Sequence, residues 1–143
     1  MACLLAGWTS LLVLSGCSDK EDPVPSIVGT WEETERMVTN YDAQNQALSS
    51  YVLASTAGQF LTLRADGTYE YITMLSGTLN GSYTYSGGTL IATRVVPNAA
   101  TLTFSSKVLE VSTTKLRLQE EVTGTDPTGS PIRKHVETRY LRK

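Results

Sequence analysis

Few side chains in this 143-residue chain could do chemistry: one histidine, two cysteines, and 14 Asp plus Glu against 12 Lys plus Arg. A zinc or transition-metal centre needs three or four His, Cys or carboxylate ligands brought together. His135 is the single imidazole, so the expectation is no metal site and a solvent-facing strand histidine. No Gly-x-Ser-x-Gly elbow gives it a nucleophile to activate, and no phosphate-binding glycine loop occurs. Glu32, Glu33, Glu35, Glu120 and Glu121 come in runs beside Arg36 and Arg117, which reads as solvated surface charge rather than a pair of catalytic acids. Asp66-Gly67 lacks the ligand ladder of a calcium loop and reads as a turn. The net charge of -2 excludes nucleic-acid binding, which draws its affinity from clustered cations. The expectation is a protein that is not an enzyme and holds no cofactor.

The cysteines carry more information. Residues 1–16 have no charge, and Leu4 to Leu14 form an apolar run. It is too short to cross a bilayer of about 30 Å as a helix but suits the h-region of a signal peptide. The run ends in Leu14-Ser15-Gly16-Cys17, which resembles the lipobox of bacterial lipoproteins. That resemblance implies that residues 1–16 are a signal peptide and that Cys17 becomes the acylated N-terminus. Cys3 would then leave with the signal, so neither a disulfide nor thiol catalysis is expected. Several acyl chains anchor a protein to a membrane stably, where one gives only marginal binding. Residues 17–26 hold Ser18-Asp19-Lys20-Glu21-Asp22 and Pro23-Val24-Pro25, a composition that reads as a flexible tether. The acidic cluster also resembles the export signal that sends lipoproteins of Bacteroidetes-type bacteria to the outer face of the outer membrane. The expected address is a lipid anchor in the outer membrane, with the protein facing the periplasm or the cell surface.

The elements that position these residues follow from residue 27 onward. Period-2 alternation is broken every 8–12 residues by turn residues, the pattern of an antiparallel sandwich or barrel. Eight strands are predicted: Gly29 to Val38, Gln59 to Arg64, Thr68 to Leu75, Leu79 to Tyr85, Thr89 to Val95, Thr101 to Val111, Lys115 to Val122 and Arg133 to Leu141. Short turns at Asp66-Gly67, Ser76-Gly77, Gly87-Gly88 and Gly124 to Pro131 favour an up-and-down meander. Closing eight strands into a barrel removes the edges that invite aggregation. A loop at Ser76 to Thr78 would set Tyr71 opposite Tyr83 and Tyr69 opposite Tyr85, and a turn at Thr113-Thr114 would set Val111 opposite Leu116 and Leu109 opposite Leu118. Residues 42–57 admit two readings. Asp42 could cap a short helix, or Asn45 could mark a hairpin tip before a strand Leu48 to Leu53; the scarcity of strong helix formers favours the strand.

Gly29-Thr30-Trp31 resembles the Gly-x-Trp signature of lipocalins. The blocks Leu61 to Tyr69, Gly81-Ser82-Tyr83, Thr113 to Leu118 and Tyr140-Leu141-Arg142 resemble, in order, those of lipocalin-like bacterial lipoproteins. The resemblance covers about residues 27–143. It implies an all-β, antiparallel, up-and-down eight-stranded β-barrel of the lipocalin-like, calycin type. It also implies that Trp31 plugs the closed end with an arginine on its ring face, Arg142 being the first candidate and Arg139 the second. Gly29, Trp31 and Arg142 would be structural. A small apolar ligand would then sit at the open end among Tyr69, Tyr71, Tyr83 and Tyr85, since tyrosine offers an apolar body with one polar handle. The alternative is a barrel filled by its own side chains that serves as an interaction module for another envelope protein or a glycan.

Overall fold

The computed structural model describes residues 26–74, 77–95, 100–125 and 129–143. The signal segment, Cys17 and all of the tether except Ser26 lie outside the described residues. All regular structure among the described residues is strand: β1 (Gly29–Tyr41), β2 (Ala47–Ala54), β3 (Phe60–Leu63), β4 (Thr68–Thr73), β5 (Gly77–Ser86), β6 (Thr89–Arg94), β7 (Leu102–Val111), β8 (Lys115–Thr125) and β9 (Pro131–Arg142). Every pairing is antiparallel between strands consecutive in sequence, except that β1 also pairs with β3 and with β9. The β1–β9 pairing, from Trp31 opposite Arg142 to Tyr41 opposite Arg133, closes the barrel. The eight predicted strands form that barrel as an up-and-down meander.

β2 is the ninth strand, and it settles the open segment as strand. It pairs with the C-terminal half of β1 through Glu35 opposite Ala54 to Tyr41 opposite Ala47, while β3 pairs with the N-terminal four residues of β1. β1 can serve both because it is 13 residues long. The tip between β1 and β2 is built by Asp42, whose side chain accepts from the Gln44 and Gln46 amides, and by Asn45 at φ +61°, a conformation that asparagine tolerates better than most residues.

Two bulges re-aim side chains. One extra residue, Thr34, sits in β1 opposite β9, between Glu33 and Glu35. It places Trp31 and Glu33 on the inner face before the bulge and Arg36 and Val38 on the same face after it. A second bulge at Leu109 pairs Leu118 with Val108, which corrects the predicted partner Leu109; Val111 does face Leu116.

The β4–β5 register also differs from the expected one. Tyr71 faces Leu79 and Tyr69 faces Gly81. The reason lies in Gly81: a Cβ there would stand 2.1 Å from the Thr93 carbonyl oxygen and 2.7 Å from Tyr69 Cε1. The Tyr69 ring therefore needs a residue without a side chain opposite it, and Gly81 supplies one. Tyr83 and Tyr85 instead pair with Ala92 and Leu90 of β6. The core, comprising Trp31, Leu61, Leu63, Tyr69, Leu90, Leu116, Leu118 and Tyr140 with Ile27, lies inside the barrel.

Candidate functional site

The closed end is built on Trp31, which is fully buried. Its indole N–H donates to the Ile27 carbonyl at 2.9 Å. The Arg142 guanidinium lies over the ring at 4.3 Å from the centroid and donates to the carbonyls of Val28 at 3.0 Å and Ser26 at 2.8 Å. Arg139 does not take this place. It is on the outer surface, bonded to Glu137 at 2.9 Å and to Glu35. Gly29 has φ +150°, and a Cβ on it would meet Arg142 Nη1 at 2.5 Å. The Gly-x-Trp pattern thus has a physical cause: the arginine that caps the indole crosses the chain two residues before it.

Above this plug the barrel is hollow. A cavity of about 280 Å³ is walled by Leu63, Tyr69, Leu90, Leu118 and Tyr140 among its most buried residues, with Tyr71, Leu79, Ala92 and Val136 beside them. Phe104, 45% exposed, also lines it, so the cavity reaches solvent. Five further side chains bring polarity to the wall: Arg36, Arg94, Ser106, Glu120 and Thr138.

Of the tyrosines expected at a ligand site, Tyr69 and Tyr71 line the cavity and Tyr83 and Tyr85 do not. Tyr83 packs against the core and its hydroxyl donates to the Arg64 carbonyl at 2.7 Å. Tyr85 stands near the end of β5 that leads into the Gly87-Gly88 turn and is 40% exposed. The register centred on Gly81 separates the two pairs.

Glu33 corrects the sequence reading most sharply, since it is not surface charge. It is 3% exposed inside the barrel. Its two oxygens accept from Arg36 Nε at 2.8 Å and Nη2 at 2.9 Å, from Ser55 Oγ at 3.0 Å and from the Tyr71 hydroxyl at 2.7 Å. A buried carboxylate is tolerable when so fully bonded. The hydrogen bond to Glu33 raises the Arg36 pKa further and keeps the guanidinium charged. Burial, then the bond to Glu33, pushes the Tyr71 phenol well up, and burial does the same for Tyr140. Glu120 also faces inward, accepting from Ser106 Oγ at 3.0 Å. The missed signal was parity: Glu33 is two residues from Trp31 and so shares its face.

Glu32, Glu35 and Glu121 are outer residues paired with Lys143, Arg139 and Arg133. His135 is on the outer face, its ring 4.7 Å from that of Tyr41 and its Nε2 3.6 Å from Glu121. Among the described residues no cluster of three His, Cys, Asp or Glu side chains could hold a metal.

A closed up-and-down barrel with a tryptophan plug under an arginine decides the fold type. The fold is lipocalin-like. The chain is similar to a lipocalin-like protein of Bacteroides uniformis, at 17% identity and a TM-score of 0.46 over 81% of this chain and 97% of that one. It is also similar to a protein of Bacteroides eggerthii, at 14% identity and a TM-score of 0.49 over 82% of this chain and 100% of that one. No protein-family model and no curated protein matches the chain.

Proposed function

We propose that this protein is a cell-envelope lipoprotein, anchored through Cys17 in the outer membrane, whose barrel holds a small, mostly apolar ligand. The observation that carries the ligand reading is the cavity of about 280 Å³ lined mainly by aromatic and aliphatic side chains. A few polar groups on a mainly apolar wall are what fixes the orientation of a small molecule. Mass spectrometry of gently extracted protein tests it: a small molecule released on denaturation is the expected result, and its repeated absence overturns the reading. The anchor has its own support in the lipobox-like run before Cys17. Cys17→Ala should abolish incorporation of labelled fatty acid and move the protein to the soluble fraction; unchanged labelling would remove the anchor.

A specific observation favours a second reading, the interaction module. β2 is exposed at every position, with Leu48 at 67% and Val52 at 58%, and exposed apolar surface of this kind marks contact sites. The two readings concern different surfaces, and the cavity makes the first the stronger.

A further inference from the structure

We propose that the cavity takes an amphipathic molecule with a single anionic group, of the monocarboxylate class, whose charge sits at Arg94 and whose neutral or hydrogen-bond-donating end lies toward Glu120. This inference rests on the reading of the barrel as a small-ligand binder and deepens it.

The charges inside the barrel are unevenly satisfied. Arg36 is neutralised by Glu33 through two hydrogen bonds. Arg94 lines the same cavity, half-buried, and forms no ion pair or hydrogen bond among the described residues. A guanidinium held in a largely apolar wall without a partner is costly, and a carboxylate relieves that cost through paired N–H···O bonds. Two hydroxyls also wait without partners among the described residues. Tyr140 is 7% exposed and Tyr69 6% exposed, both line the cavity, and neither hydroxyl is bonded. Burial raises both phenol pKa values, so each remains an O–H able to donate to a ligand oxygen.

The sheet places Tyr69 near Arg94. Tyr69 faces Gly81 across β4–β5, and Ser82 opposite Thr93 sets Gly81 level with Arg94 across β5–β6. Gly81 contributes no side chain between them. Glu120 lies elsewhere: Leu90 pairs with Ser106 and Ser106 with Glu120, so it is level with a residue four positions before Arg94. No cation pairs with it among the described residues. A second anionic group on the ligand would approach this carboxylate and be repelled, whereas a hydroxyl or amide would donate to it.

Calorimetric titration of the full chain in mild detergent with decanoate, decan-1-ol and decanedioate tests this. Decanoate is expected to bind about tenfold or more tightly than decan-1-ol, and more tightly than decanedioate. In Arg94→Gln, with folding verified by its melting curve, the decanoate to decan-1-ol ratio should fall to about one, and Arg94→Lys should keep part of it. Equal binding of decanoate and decan-1-ol by the wild type, or an unchanged ratio in Arg94→Gln, overturns the anion inference and leaves ligand binding standing. If none of the three probes binds, the inference falls, and the reading beneath it is decided separately by whether mass spectrometry of the gently extracted protein finds a released small molecule.

Discussion

At the scale of single residues, the plug is where sequence signature and physical cause coincide. Gly29 and Arg142 occupy the same space from two ends of the chain. In Gly29→Ala the methyl group can be accommodated only if the guanidinium leaves Trp31 and its two carbonyls, and the backbone adopts φ +150° at added strain. The substitution should cost about 2–3 kcal/mol in urea unfolding. Because the two effects share one cause, Gly29→Ala should cost distinctly less in an Arg142→Ala background, and strict additivity would show the contact to be incidental. A second residue-scale consequence concerns alkaline pH. The phenols of Tyr71 and Tyr140 are both held above their usual value by burial, whereas in the unfolded chain they ionise near pH 10, a value of about 10 being ordinary for tyrosine. Above that pH the unfolded chain binds fewer protons than the folded one, so stability must decline as pH rises toward the folded values. Tyr140→Phe should flatten the fall in melting temperature above about pH 10 while changing little at neutral pH, since its hydroxyl has no partner to lose.

At the scale of elements, Gly81 governs the registers of β4–β5 and β5–β6 together. Its virtual Cβ meets backbone on one side and a buried ring on the other, neither of which yields easily. Gly81→Ala should destabilise the protein by about 2–3 kcal/mol, and a loss no larger than that of Gly124→Ala, whose Cβ would meet only Ile132 Cγ1 at an ordinary 3.8 Å, would contradict this account of the register. The same glycine explains the limits of the sequence reading. Strand existence was legible because alternation and turn chemistry are local, and all eight barrel strands and the favoured β2 appear. Register was legible only where no bulge or close approach intervened. Val111 opposite Leu116 follows from the turn alone, whereas Leu109 is displaced by a bulge and Tyr69 finds its place because its ring occupies the space that a side chain at Gly81 would fill. The site was half legible for the same reason. Tyr69 and Tyr71 carry inward parity within one strand, but Arg36 reaches the interior only because Thr34 is bulged, and the unpaired state of Arg94 depends on the whole barrel.

At the scale of the molecule, a barrel of this size could be solid or hollow, and its inner side chains make it hollow. Leaving about 280 Å³ dry and empty would cost several kcal/mol at roughly 24 cal/mol per Å³, a large share of the roughly 5–15 kcal/mol that holds a domain folded. The opening beside Phe104 lets water fill the space, and an apolar molecule that displaces that water gains the transfer free energy of its buried surface. Binding to the folded state alone then raises stability by about 2.7 kcal/mol at a free concentration one hundred times Kd, a shift of several degrees in melting temperature for a domain of this size. Ala92 is the position to test this, since it lines the cavity between Tyr83 on β5 and Phe104 on β7. Ala92→Leu fills part of the void with apolar volume in place of water. It should melt at or above the wild-type temperature without ligand, yet lose the upward shift that decan-1-ol gives the wild type. A variant that melts normally and still responds fully to decan-1-ol would place binding outside the barrel, on a surface such as the exposed β2.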